Sequence, residues 1–139
     1  MKREIGKTNE TGFQVGARKT VNIRQRDAWD FLFSPDGLKI WLGNGESNEL
    51  GVGREFFLDD GTAIEVTVFR PYSHVRMKWN KKGWVNTSRL QLRVIDSKEK
   101  AVIAFHQELL ANGKQRVEMK SHWLKVLEKL TSRLTEAAL

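Results

Sequence analysis

Two pairs of histidine and carboxylate residues come closest to catalytic or metal-binding chemistry. His106 and Glu108 stand two residues apart in a segment that alternates like a strand. They therefore share one face, and could do general acid–base work if that face met a pocket. The same alternation places Ile103, Phe105 and Gln107 on the opposite face. Because the first two of these are bulky and apolar, we expect that face to point inward and His106 and Glu108 to lie outside.

Glu118 and His122 are four residues apart in a helical segment, a spacing that can chelate a metal ion. A third ligand would be needed. His74 stands on a strand whose alternate positions are basic, and such neighbours repel a cation. We therefore expect a pair on the helix surface, no metal site and no other cofactor. The absence of cysteine excludes disulfides and thiolate chemistry.

Composition and charge narrow the class of protein. The chain has 139 residues, 40% of them apolar, and a formal net charge of +7. This length is typical of one globular domain. The basic residues are spread along the chain instead of forming a stripe, so we do not expect a nucleic-acid binder. No apolar run is long enough to insert into a membrane, and the first residues lack a signal peptide's apolar core, so we expect a cytoplasmic protein.

Apolar periodicity predicts the order β-α-α-β-β-β-β-β-α. The predicted strands cover residues 12–24, 54–58, 62–70, 74–79, 87–95 and 101–109. Two short helices are predicted at 25–33 and 34–42, the second with Ser34 as N-cap and Pro35 at its first position. A long helix is predicted at about 115–134, with its apolar residues within an arc of about 100°.

These elements predict an α+β fold. Short connections favour an antiparallel meander, and a sheet with one polar face must cover its apolar face. The long C-terminal helix has the apolar stripe to do so. We therefore expect a curved antiparallel sheet of about six strands wrapped around that helix, with a tail at residues 1–11 and a single domain at 12–139.

The chain resembles the START-like (SRPBCC, Bet v-type) superfamily, which has the helix-grip fold, and within it the Activator of Hsp-90 ATPase-like branch of small bacterial proteins. The motifs that carry the resemblance are Ala28–Leu32, Ser34–Leu38, Trp41–Gly43, Gly51–Arg54, Val75–Trp79, Phe105–Glu108 and His122–Trp123. The resemblance implies a cavity under the long helix that binds a hydrophobic molecule. A minority of the superfamily catalyse cyclisation or dehydration, and a eukaryotic member stimulates a chaperone ATPase.

We therefore predict a domain that binds a small apolar or amphipathic ligand between sheet and long helix. Trp41 is expected near the mouth of the pocket. The expected walls are Phe56, Val66, Met77, Trp79, Leu90, Leu92, Phe105, Met119, Trp123 and Leu127.

Two alternatives stay open. The first is a module for a protein partner, possibly chaperone-related, in which a basic outer sheet face meets an acidic protein; its residues are His74, Arg76, Lys78, Arg89 and Arg93. The second is an enzyme similar to polyketide cyclases or dehydratases. It requires His106 or another titratable side chain to point into the cavity. The residues favour a binding protein over an enzyme.

Overall fold

The computed structural model describes residues 7–8, 12–44 and 50–137 of the chain. Its seven strands are β1 (Lys7–Thr8), β2 (Gly12–Val21), β3 (Glu55–Phe57), β4 (Ala63–Arg70), β5 (His74–Asn80), β6 (Ser88–Ser97) and β7 (Lys100–Leu110). Its helices are α1 (Gln25–Leu32), α2 (Pro35–Trp41) and α3 (Gly113–Ala137). The six predicted strands correspond to β2–β7. Of the predicted tail, residues 1–6 and 9–11 lie outside the described residues.

All seven strands form one antiparallel sheet in the order β1-β2-β7-β6-β5-β4-β3. The first long strand, β2, therefore pairs with the last strand, and the others follow as a meander. One-residue register shifts interrupt β2 between Phe13 and Val15 and β4 between Val66 and Val68. Such bulges increase the local twist, which helps the sheet to curve. The predicted α+β helix-grip arrangement is confirmed.

Helix α3 lies along the concave face of the sheet and packs against β2 and β7. Two of its cationic side chains tie it to β2, because Arg116 Nε donates to the Gln14 carbonyl at 2.9 Å and Lys120 Nζ to the Gly16 carbonyl at 2.6 Å. The helix begins two residues earlier than predicted. Asn112 Oδ1 accepts a hydrogen bond from the Gln115 backbone N–H at 2.9 Å and so caps its first turn.

The two short helices meet at a very close backbone approach. Ser34 caps α2 by accepting from the Gly37 backbone N–H at 3.2 Å, as the sequence predicts. A Cβ placed on Gly37 would lie 1.9 Å from the Phe31 carbonyl oxygen. Only glycine fits there, and it allows α2 to fold back beside α1. Helix α1 then packs on β6 and β7 and α2 on α3, which closes one end of the sheet.

Candidate functional site

The space between sheet and α3 is the candidate ligand site. The structure brings all eleven expected pocket residues into one core, where none is more than 6% exposed. They are Trp41, Phe56, Val66, Met77, Trp79, Leu90, Leu92, Phe105, Met119, Trp123 and Leu127. Alternation on each strand and the apolar stripe of α3 direct them to the same space. The walls are closed on one another in this conformation.

Aromatic rings form the centre of this core. Phe105 of β7 stacks on Trp123 of α3, with ring centroids 4.5 Å apart and planes 12° apart. Trp79 of β5 approaches Trp123 to 6.4 Å, and Trp41 of α2 approaches Phe105 to 6.3 Å. Trp84, in the loop after β5, packs edge-on against Trp79 at 5.6 Å. The cluster therefore joins helix, sheet and the short helices.

Trp41, expected near the mouth, is 2% exposed. Its indole N–H donates to the Leu32 carbonyl at the end of α1, at 2.7 Å. This bond satisfies both the indole and a carbonyl that the helix end leaves without a partner. The same hydrogen bond holds the Trp41 ring in the interior, beside the end of α1.

A buried chain of polar groups crosses the apolar interior. Gln107 is fully buried, accepts from the Trp123 indole N–H at 2.8 Å and donates to Ser88 Oγ at 2.8 Å. Ser88 Oγ in turn donates to the Trp79 carbonyl at 2.7 Å. Each link has a partner, so the chain fixes the helix to β7, β6 and β5 without leaving a polar atom unpaired. The sequence places Gln107 inward by alternation, but gives no sign of these partners.

Thr62 is the exception to this pairing. It is 0% exposed and alternates with the buried Ile64 and Val66, so it belongs to the inner face at the residue immediately before β4. Its Oγ1 is the one buried side-chain polar atom without a hydrogen-bond partner in the described part of the chain. The hydroxyl lies beside the β3–β4 turn, where the Leu58 N–H donates to the Thr62 carbonyl at 2.9 Å. Sequence reasoning missed this position, although alternation from Ile64 would have placed it inward.

The expected pair of Glu118 and His122 does lie on α3, at the same end of the sheet as Thr62. Glu118 forms an ion pair with Lys81, which places a cation where a metal ion would have to bind. Desolvation lowers the pKa of His122, as does the Lys81 ammonium, while Asp60 and Glu118 act in the opposite direction. Within the described ranges, no group of three or more histidine, aspartate and glutamate residues could hold a metal.

The other histidine–carboxylate pair lies on the outer face of the sheet, as expected. Ile103, Phe105 and Gln107 are buried, while His106 meets Gln14 Oε1 at 3.1 Å on the opposite side. His106 and Glu108 help to line an outer depression of about 310 Å³, together with Arg76, Arg89 and Gln91. Arg89 binds the Glu108 carboxylate at 2.6 Å. The pair is therefore remote from the interior.

The expected basic surface residues also lie on the outer face, in cross-strand register. His74 stands opposite Arg93, Arg76 opposite Gln91 and Lys78 opposite Arg89. Two of them form ion pairs: the Lys78 ammonium lies 3.8 Å from the Glu65 carboxylate, and the Arg89 guanidinium binds the Glu108 carboxylate. The positive charges of Lys78 and Arg89 are therefore partly compensated by these glutamates.

The sequence model of the family described as Activator of Hsp90 ATPase homolog 1-like protein matches residues 22–135. This range contains both short helices, strands β3–β7 and nearly all of α3. The chain belongs to this family. No curated protein sequence matches the chain.

Solved structures agree on the fold. DynU16, a protein in the dynemicin biosynthetic locus, is 17% identical with a TM-score of 0.78, and the match covers 88% of this chain but only 47% of DynU16. Protein MLL2253 from Mesorhizobium loti is 18% identical with a TM-score of 0.78, covering 91% of this chain and 99% of MLL2253. PFC0360w, an HSP90 activator from Plasmodium falciparum, is 18% identical with a TM-score of 0.72, covering 88% and 96%.

At these identities the likeness shows the fold alone. In the part of the chain that the structure describes, no helix is both long and apolar enough to span a membrane.

Proposed function

We propose that the chain binds a small amphipathic molecule between the sheet and α3, with the molecule's polar end at Thr62. The observation that carries this proposal is the buried Thr62 hydroxyl, which lacks a partner although the other buried polar side chains described, Ser88 and Gln107, have theirs. A buried hydroxyl without a partner costs about 1–3 kcal/mol. A domain that only had to pack would be more stable with valine there. A ligand hydroxyl, carbonyl or carboxylate would supply the missing partner.

The rest of the wall suits an apolar body. Met77 and Met119 are buried on opposite sides of the space, on β5 and α3. Methionine is unbranched and flexible, so these two side chains can make room with little backbone change. Ligand binding in the closed core therefore needs side chains to move, and burial of about 200 Å² of ligand surface returns about 5 kcal/mol.

The inner polar groups favour binding over acid–base catalysis. Of the described residues, those that are polar and fully buried are Thr62, Ser88 and Gln107. None of these side chains titrates near neutral pH. The requirement of the enzyme hypothesis is not met by His106, which lies on the outer face. We therefore favour a carrier or sensor over a cyclase or dehydratase.

The proposal is tested by native mass spectrometry of the purified protein and by titration with decanol and decanoate, followed by tryptophan fluorescence. We expect a co-purified small molecule or saturable binding of at least one probe. The variant Thr62→Val should weaken binding of that probe about tenfold, which corresponds to one lost hydrogen bond of about 1.4 kcal/mol.

The matched control is Thr67→Val, the same change five residues further along, on the outer side of β4, where the threonine is exposed. It should leave binding unchanged. In the absence of ligand, Thr62→Val should be about 1 kcal/mol more stable than the unmodified protein. If no molecule co-purifies and neither probe binds saturably, the proposal is wrong. It is also wrong if both valine variants bind alike.

A further inference from the structure

The outer face of the sheet carries a row of basic side chains that crosses five strands. Register places Arg18 of β2 opposite Ala104 of β7, Ala104 opposite Arg93 of β6, Arg93 opposite His74 of β5, and His74 opposite Arg70 of β4. Cross-strand partners share a face. We call Arg18, Ala104, Arg93, His74 and Arg70 the arginine row. Four steps between strands give it a length of about 19 Å.

The charges of this row are not neutralised. Within the described part of the chain, no carboxylate forms an ion pair with Arg18, Arg70 or Arg93. Crowding of cations is visible at His74, whose pKa is lowered by burial and then by the positive charges of Arg93, Arg76 and Arg70. The three arginines gain no ion pair among the described residues and repel one another, so folding does not explain the arrangement.

A second row of charged residues crosses the outer face about four residues further along the strands, and it contains both acidic and basic side chains. Glu55, Glu65, Lys78, Arg89 and Glu108 stand opposite one another from β3 to β7, and we call them the mixed row. Lys78 and Arg89 each have a glutamate partner there. Lys78 and Arg89, two of the five surface residues expected from the sequence, belong to this compensated row. Arg18 and Arg70, which are not among those five, extend the arginine row.

We propose that the arginine row docks an acidic, carboxylate-rich segment of a partner protein. Three guanidinium groups in a line can each hold a carboxylate through two parallel hydrogen bonds. The small side chain of Ala104 leaves room between Arg18 and Arg93 for the partner to approach the sheet. The length of the row suits a chain segment and exceeds what a single small anion would occupy.

Charge and shape separate this partner from other polyanions. A DNA duplex lying on the face would also meet the three glutamates of the mixed row, about 13 Å away along the strands. Neither row contains a phenylalanine, tyrosine or tryptophan, whereas surfaces for single-stranded nucleic acid stack successive bases on such rings. The face is convex, because the sheet curves around α3 on its other side, and a flat membrane would touch only part of it.

The test uses a fluorescent oligoglutamate of about eight residues, long enough at about 3.4 Å per residue to cover the row. Binding is followed by fluorescence anisotropy at low salt. The double variant Arg18→Gln/Arg93→Gln should weaken binding about tenfold or more. The matched control Lys78→Gln/Arg89→Gln removes the same two charges from the mixed row and should weaken it less than about threefold. Thermal unfolding checks that both variants are folded.

Oligothymidylate and phosphatidylserine vesicles form the other arms of the experiment. Equal losses in the two double variants would mean attraction by net charge alone and overturn the proposal. So would a failure of oligoglutamate to bind, or tighter binding of either other polyanion with the same dependence on Arg18 and Arg93. Binding of decanol or decanoate involves the opposite face, so neither double variant should change it, and the two proposals fail independently.

Discussion

The two faces of the sheet differ in how their polar and charged side chains are paired. On the inner face, the described polar side chains are few and, apart from Thr62, each has a partner within hydrogen-bond distance. On the outer face, the three arginines of the arginine row have no carboxylate partner among the described residues. Both exceptions cost stability, and both are confined to one part of their face. Positions at which a side chain lowers the stability of the fold are therefore the best candidates for function.

The largest expected difference is between neighbours that point to opposite faces of β6. Leu92 is fully buried, while Arg93 lies in the arginine row. Leu92→Ala should lower the free energy of unfolding by about 3 kcal/mol, because it removes apolar contacts and leaves a cavity. Arg93→Ala should change it by less than about 0.5 kcal/mol. Urea denaturation measures both, and similar costs would contradict the assignment of the two faces.

The buried polar chain can be broken at its centre. Gln107→Ala leaves the Trp123 indole N–H without an acceptor in a water-free interior, so we expect a loss of about 2 kcal/mol. Gln91→Ala is the matched change on the outer face, where the amide accepts from Arg76 at 2.6 Å near solvent. It should cost less than about 1 kcal/mol. If the two glutamines cost the same, water reaches the interior chain and the closed core described above is wrong.

The sequence predicted which face each side chain occupies better than which side chains are neighbours. Alternation sent Phe105 and Gln107 inward and His106 outward, and capping chemistry located Ser34 and Pro35 at the start of α2. These are local signals, fixed by strand and helix periodicity. They also directed the eleven expected pocket residues into a common core; whether those residues bind a ligand stays a prediction.

No local sequence pattern of this kind predicts the register between strands. The alignment of Arg18 with Arg93 on either side of Ala104 depends on the pairing of β7 with both β2 and β6 and on the register shift between Phe13 and Val15. A shift of one residue would send Arg18 to the other face. The hydrogen-bond partners of Trp41 and Gln107 depend in the same way on packing between distant elements. For the same reason, periodicity alone does not place Arg18 and Arg70 in one row with Arg93.

Acidification should destabilise the fold through histidines on two elements. The pKa values of His74 and His122 are both lowered from 6.5 in the folded chain. The unfolded chain therefore binds protons first, and protonation favours unfolding. Stability should be fully present above about pH 6.5 and fall as the pH drops through the folded-state values. Denaturation midpoints at pH 7.5 and 5.5, in about the range where carboxylates stay ionised, measure the slope.

The double variant His74→Gln/His122→Gln should flatten that slope. The single variants His74→Gln and His122→Gln should each flatten it in part. An unchanged slope in the double variant would show that other groups set the pH dependence.

The smallest expected effect tests the arginine row itself. Arg93 faces His74 directly across the strands and is the first of the charges that lower its pKa, whereas Arg89 belongs to the mixed row and is paired with Glu108. Arg93→Gln should therefore raise the pKa of His74 in an NMR titration, and Arg89→Gln should leave it almost unchanged. Bound oligoglutamate should raise it too, since carboxylates would replace the repulsion by attraction. Equal shifts of the His74 pKa in the two glutamine variants would mean that this pKa depends only on the net charge of the protein. The arginine row would then produce no local positive potential that could attract an acidic partner.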